Sequence, residues 1–400
     1  MKPLAMRVRM LAPSPTLAIT ARANAMRAEG KDVLSLGAGE PDFNTPDVII
    51  EAAYRSMKEG KTKYTPSGGI PPLREVVARE LTQTIGKSYA PGHVHIASGA
   101  KQALYNVFQA IVQEEEEVII PVPYWVSYPE QVKLSGGIPV LVPTTRENGY
   151  KLTPEALRGA LSGKTRALIL NSPSNPTGSL YTERELALLA EVLEAYPDVW
   201  IVSDEIYRKL IYEGEHTSIA SLSDALYART IVIDGVSKPY AMTGWRIGWA
   251  ASTDRALIEA LDNLSSQSTS NPTTFAQYGA LHALTDESGE VEQAVQRMVA
   301  TYRTRRDTIV PKLMEIPGFW LDRPPAAFYV YIDISEALKK SGFQDVDAWA
   351  EALLEEEGVA VVPGTGFGTL EHIRISYATD LDTLNEAITR MRRFVEKRMS

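Results

Sequence analysis

Short apolar runs bounded by turn residues recur along the first two thirds of the chain: Val94 to Ala97, Val118 to Val122, Val140 to Val142, Ala167 to Leu170, Val199 to Val202, Thr230 to Ile233 and Ile247 to Ala251. Runs this short read as buried strands. Between them the apolar residues follow helical spacing. Leu104, Phe108 and Ile111 share one face of a helix beginning near Lys101, and Leu186, Leu189 and Leu193 share a face of another. Strands alternating with helices predict an α/β fold, a mostly parallel sheet with helices on both faces. Ligands of such sheets bind at the carboxyl ends of the strands.

Beyond residue 290 the pattern changes. Glu290 to Ile316 is long, charged and helix-prone, and Pro311 is expected to kink or end that helix. It reads as the bridge to a smaller α+β domain. That domain would hold strands at Phe328 to Ile334, Val359 to Val362 and His372 to Tyr377, a helix around Trp349 to Leu354 and a terminal helix. The expected division is therefore a turn-rich segment 1–45 packed on the small domain, a large domain 46–290 and a small domain 291–400.

Composition supports a chain of more than one core, since single cores stop growing near ~250–300 residues and this chain has 400, of which 44% are hydrophobic. A net charge of -9 argues against a nucleic-acid or anionic-membrane partner. No run approaches the ~18 apolar residues of a membrane span. With no cysteine there is no disulfide or thiolate chemistry, which fits a cytoplasmic, reducing location. Of the five histidines only His93 and His95 lie close together, so the pair reads as a strand-end feature rather than a metal site.

The candidate chemistry gathers where strands end. Lys238 follows the Thr230 to Ile233 run and precedes Pro239, which pushes it out of helical geometry into a turn from which its amine can enter a site. Arg246, eight residues on, offers a planar fork suited to phosphate. Lysine chemistry on a carbonyl cofactor needs both. Ser98-Gly99-Ala100-Lys101 stands between a strand and a helix, where free backbone N–H groups cradle phosphate. It also matches the S-x-x-K acylation motif, but neither S-D-N nor K-T-G occurs in the chain. Gly163-Lys164-Thr165 lacks the glycine a nucleotide loop requires, Arg158 standing there instead.

Asp204-Glu205-Ile206-Tyr207 follows another strand and sets a carboxylate at the sheet edge with a phenol three residues on; a cationic partner suits Asp204 better than a metal. In Asn171 to Gly178 two prolines stiffen a loop from which the Asn175 amide can donate. Trp125, after the Val118 to Val122 run, can stack on a flat ring or fill a core. Arg374 lies in an alternating strand, and an inward arginine needs a partner such as a carboxylate gripped bidentately.

Ten ordered motifs then stand together: GAGEPDFNTP, KYTPSGGIPPLRE, SGAKQAL, PYWVSYPE, NSPSNPTG, SDEIY, SKPYAMTGWRIG, AFYVYID, VAVVPGTGFG and IRISYA. With them the chain, from about Arg7 to its end, resembles the class I aminotransferases, pyridoxal-phosphate enzymes of fold type I, in their bacterial aspartate aminotransferase branch. The resemblance implies pyridoxal 5'-phosphate joined covalently to Lys238, which also shuttles the proton. It implies Asp204 on the ring nitrogen, with Tyr207 and Asn175 on the ring oxygen. Phosphate falls to Arg246, Ser237 and the turn Gly99, Ala100 and Lys101, and ring stacking to Trp125. The substrate carboxylate falls to Arg374, Asn175 and the Gly39 backbone. Tyr64 reaches the phosphate of a neighbouring subunit, which implies a homodimer.

The implied reaction moves an amino group from L-aspartate to 2-oxoglutarate in a ping-pong cycle. The alternative is an aromatic or prephenate-type aminotransferase of the same family, with a lyase as a third option. A cofactor-dependent regulator needs a DNA-binding module and a basic surface, and neither is visible. Two departures stand out. Leu264 to Gln277 lacks the arginine that a related branch uses for a distal carboxylate, leaving Lys101 to serve. Ala326 occupies a position where relatives often have glycine, which would tighten the pocket edge.

Overall fold

The structure, a computed structural model, describes residues 3–12 and 15–399, apart from the side chains of 15–17. In chain order its strands are β1 (Leu34–Ser35), β2 (Val94–Ala97), β3 (Glu117–Val122), β4 (Ile138–Pro143), β5 (Thr165–Asn171), β6 (Trp200–Asp204), β7 (Thr230–Gly235), β8 (Gly248–Ala251), β9 (Tyr329–Asp333), β10 (Val359–Ala360), β11 (Val362–Pro363) and β12 (His372–Ser376). Strands β2 to β8 form one sheet in the order β2-β8-β7-β6-β5-β3-β4. Alternation along each strand sends its apolar residues to both faces. Ile119, Leu168 and Ile201 pack under the helices Pro154–Ala160 and Glu183–Leu193, while Ile120, Ile169 and Val202 pack under Ala100–Ile111 and Arg255–Ser268.

The expected parallel sheet is present with one reversal. Strands β3 to β7 pair in parallel, whereas β8 runs antiparallel to both β7 and β2. A parallel return needs a crossover of a dozen residues or more, usually through a helix. The loop between Gly235 and Gly248 holds only a short 3-10 turn, so the chain doubles back and keeps Lys238 and Arg246 beside the carboxyl end of β7.

In the C-terminal part β9, β11 and β12 form an antiparallel sheet, and β10 pairs with β1. The apolar run Val359 to Val362, expected as one strand, divides at Val361 because Val359 pairs with Leu34 while Val362 pairs with Arg374. The helix Glu290–Met314 passes through Pro311 instead of ending there. In the final turn the missing N–H forfeits one backbone bond, and burial of Ile309, Val310 and Leu313 holds that turn to the core.

That core reaches past its own sheet. Ile206, Tyr207, Leu210 and Tyr212, the residues just after β6, pack in the same cluster as Trp349, Phe394 and the β9 residues. Ile211 bridges to Ala326 in antiparallel fashion, so Ala326 helps fasten the two sheets together and is not among the residues lining the cavity described below. Neither of the paired histidines is a lone ligand: His95 lies between Asp262 at 2.6 Å and Ser265 at 3.1 Å, and His93 accepts from the Ala90 amide.

Candidate active site

A cavity of about 1100 Å³ opens at the carboxyl ends of β5, β6 and β7, closed on one side by Arg374 of β12. On its floor the Lys238 amine donates to the Gly39 carbonyl at 2.5 Å. Burial pushes that amine down to about 8, against the pull of Glu40 and with help from Arg374 and Arg246. A lysine held there supplies free base near neutral pH, as a nucleophile on a carbonyl requires.

Asp204 ends β6 and is buried. Its Oδ2 accepts from the Tyr128 hydroxyl at 2.6 Å and its Oδ1 from the Ile206 amide at 3.3 Å. Burial pushes its carboxyl up to about 6, and among the described residues it has no ion pair. A carboxylate so placed strongly favours a cation brought beside it. Tyr207, three residues on, sets its hydroxyl 2.8 Å from that of Tyr329, and burial raises its pKa well above the ordinary phenol range.

Across the cavity Arg374 donates from Nη1 to the Asn175 side-chain oxygen at 2.9 Å and from Nη2 to the Gly37 carbonyl at 2.8 Å. Its Nε is buried with no partner, and its guanidinium lies 4.5 Å from the Tyr329 ring centre. Burial lowers its pKa, because no carboxylate compensates the charge. An unpartnered donor on a buried cation marks a place for an anion. The contact also fixes Asn175: with its oxygen turned to Arg374, the amide nitrogen is the donor left for the cavity that the residue lines.

The third corner is a cradle. Gly99 caps the helix Ala100–Ile111 with φ +91°, and a Cβ there would stand 2.3 Å from an Arg246 nitrogen. A Cβ on Gly248 would stand 2.3 Å from the Ala100 amide, so two glycines let β8, the helix start and the guanidinium converge. Arg246 itself has φ +58° and donates to the Thr243 carbonyl at 2.7 Å. Ser98 and Ser237 line the same corner. On the wall above, the Lys101 amine lies 4.8 Å from the centre of the Trp125 ring, and Trp125 meets Tyr128 edge-on. Burial, then Arg246, lowers the Lys101 pKa.

The structure thus brings together the expected residues, with one exception. Tyr64 does not reach this cavity: it is 90% exposed in the single chain. Sequence reasoning missed Tyr128, Tyr329 and Glu40. Tyr128 stands three residues beyond Trp125 at the head of a helix, a spacing that puts both on one side and was a usable signal. The residues fit pyridoxal phosphate on four independent features: a buried amine with depressed pKa, a buried acid without a cation, a glycine cradle at a positive helix end, and a guanidinium beside it.

The family model for aminotransferase class I and II matches residues 31–391. The chain is 55% identical to the aspartate aminotransferase of Bacillus subtilis over 395 residues, covering 98% of this chain and 99% of that one. It is 48% identical to the aspartate/prephenate aminotransferase of Cereibacter sphaeroides over 388 residues, covering 96% of each chain. Among solved structures it is similar to the aspartate aminotransferase of Thermus thermophilus with maleate, with a TM-score of 0.93 at 43% identity, covering 98% of this chain and 100% of that one. Lysine, acid, cradle and matching sequences agree, and the chain belongs to the class I and II aminotransferases, transaminases that work with pyridoxal phosphate.

Proposed function

We propose that the protein transfers the amino group of L-aspartate, or of a closely related amino acid, to 2-oxoglutarate by a ping-pong mechanism. The observation that carries this reading is the buried Arg374 with its unpartnered Nε, set in the same cavity as Lys101. Of the four cationic side chains that line the cavity, Lys238 and Arg246 would serve the cofactor, and the other two suit a substrate with two carboxylates. Arg374, with Asn175 and the Gly39 backbone, takes the α-carboxylate, and Lys101 takes the distal one.

When bound, the cofactor supplies an aldehyde for amine exchange and a ring that withdraws electrons. The remaining work falls to the chain. Lys238 would hold the cofactor covalently, and its amine, once freed, would be the group placed to move a proton. Asp204 would pair with the ring nitrogen and favour its protonated form, and Tyr128 holds Asp204. Tyr207 and Asn175 would donate to the ring oxygen. Ser237, Arg246 and the backbone of the turn Gly99, Ala100 and Lys101 would bind phosphate, and Trp125 would stack on the ring. The exposed Tyr64 fits a homodimer in which it reaches the partner's phosphate site. The same reading divides the chain at residues 45 and 290 and places the enzyme in the cytoplasm, to which its cysteine-free acidic chain is suited. No described helix is long and apolar enough to cross a membrane.

Steady-state rates with aspartate, phenylalanine and arogenate as donors, each with 2-oxoglutarate, test the substrate. Aspartate is expected to give the highest kcat/KM; if it is the poorest donor, the aromatic or prephenate reading replaces this one. Arg374→Lys keeps the charge but loses the fork. With charged hydrogen bonds worth ~1.5–3 kcal/mol, KM for aspartate should rise roughly 10- to 100-fold. An unchanged KM would put the carboxylate elsewhere.

A further inference from the structure

Tyr329 stands where groups that the reaction uses separately come together. It lies on β9 and is fully buried. Its hydroxyl is 2.8 Å from that of Tyr207, and the Arg374 guanidinium lies 4.5 Å from its ring centre. A Cβ on Gly39 would stand 3.3 Å from the same hydroxyl, and the Gly39 carbonyl accepts from Lys238. Tyr329 thus touches the neighbours of the cofactor on one side and of the substrate carboxylate on the other.

We propose that Tyr329 is a positioning residue: it donates its hydroxyl proton to the Tyr207 oxygen and so keeps the Tyr207 proton directed at the ring oxygen of the cofactor. Two phenols in contact can share their hydrogen bond in either sense. A ring oxygen carrying negative charge beside Tyr207 decides the sense, because Tyr207 must then donate to it. Only the Tyr207 lone pairs remain for Tyr329, which becomes the donor. The guanidinium over the Tyr329 ring strengthens that donor by drawing charge from the phenol. Burial raises the pKa of both phenols, so they act through shared protons and not by ionising. The other charged groups facing this corner are Lys238, Asp204, Glu40 and Arg246, and replacing Tyr329 by phenylalanine leaves them all in place.

The inference rests on the reading that Lys238 carries the cofactor, and the test separates the two. The holoenzyme is titrated with pH while the visible absorbance of its bound cofactor is followed. A hydrogen bond to the ring oxygen stabilises the form that has lost its proton, so the parent midpoint is held low. Tyr329→Phe, with cofactor content and thermal midpoint measured alongside, should raise the absorbance midpoint by roughly half to one pH unit. The same change made on top of Tyr207→Phe should have no further effect. Should Tyr329→Phe not accumulate as folded protein, Tyr329→Leu also removes the hydroxyl and reads the same shift. A midpoint within about 0.2 unit of the parent's, or an equal shift in the Tyr207→Phe background, overturns the role of Tyr329. A parent that binds no cofactor at Lys238 overturns the prior reading instead.

Discussion

Lys238→Ala is expected to fold as the parent does and to lose turnover by roughly 10⁴-fold or more, since in the proposed mechanism one side chain serves as both covalent attachment and proton carrier. Borohydride reduction followed by peptide mapping should label the loop after β7 in the parent and leave it unlabelled in the variant. The amine is pushed from 10.5 down to about 8 by burial, so the folded chain binds its proton less readily than the unfolded chain does. Below pH 8 that mismatch opposes folding, and it fades as pH rises through the window from about 8 to 10.5. Alanine removes the mismatch. The cofactor-free variant should therefore melt no lower than the cofactor-free parent at pH 7, although its activity is gone. Undiminished turnover would place the chemistry on another residue.

Asp204→Asn should likewise part stability from function, raising the one while lowering the other. Burial raises the Asp204 carboxyl from 3.8 to about 6, so the folded state holds the proton more tightly than the unfolded state. The sign follows from linkage: the cost is absent below about pH 3.8, grows to about pH 6 and is complete above it. A shift of about 2 units corresponds to about 3 kcal/mol at pH 7. The cofactor-free Asn variant is thus expected to melt several degrees above the cofactor-free parent at pH 7, and level with it near pH 4. With cofactor the order reverses. A carboxylate ~4 Å from a ring cation at effective dielectric ~20 contributes roughly 4 kcal/mol, so cofactor affinity and proton abstraction should fall by about 10³-fold. Parallel melting curves across that pH range, or unchanged cofactor affinity, would remove Asp204 from the proposed pairing.

Much of this site was legible before the structure. The runs at Val94 to Ala97 and Thr230 to Ile233 lie within β2 and β7, and the chemistry falls in the loops that follow strands, because a buried strand announces itself by unbroken apolarity. What periodicity does not carry is direction. Strand β8 looks like its neighbours in composition, and only the shortness of the Val236 to Ile247 connection makes it antiparallel. Nor does it carry partners. Tyr329 and Tyr331 alternate along β9 as ordinary strand aromatics do, and nothing local distinguishes the one that meets Tyr207 from the one that stacks on His372. Lys238 and Arg374 were visible because charge in an apolar setting needs a reason, whereas a tyrosine in a core needs none. Pro311 does not end its helix at once, because position within the helix decides the cost of proline, and here only the final turn follows it.

The stretch Ile206 to Tyr212 follows β6 of the seven-stranded sheet in sequence but packs with the C-terminal core. Asp204 ends a strand of the large sheet and Tyr207 packs in the C-terminal core, with only Glu205 and Ile206 between them. Ile206 joins that cluster and gives its amide to Asp204, so a repacking of the C-terminal interior would reach the acid as well as the phenol, even from residues that never approach a substrate. Natural variation there would retune the catalyst without altering any group that touches the reactants.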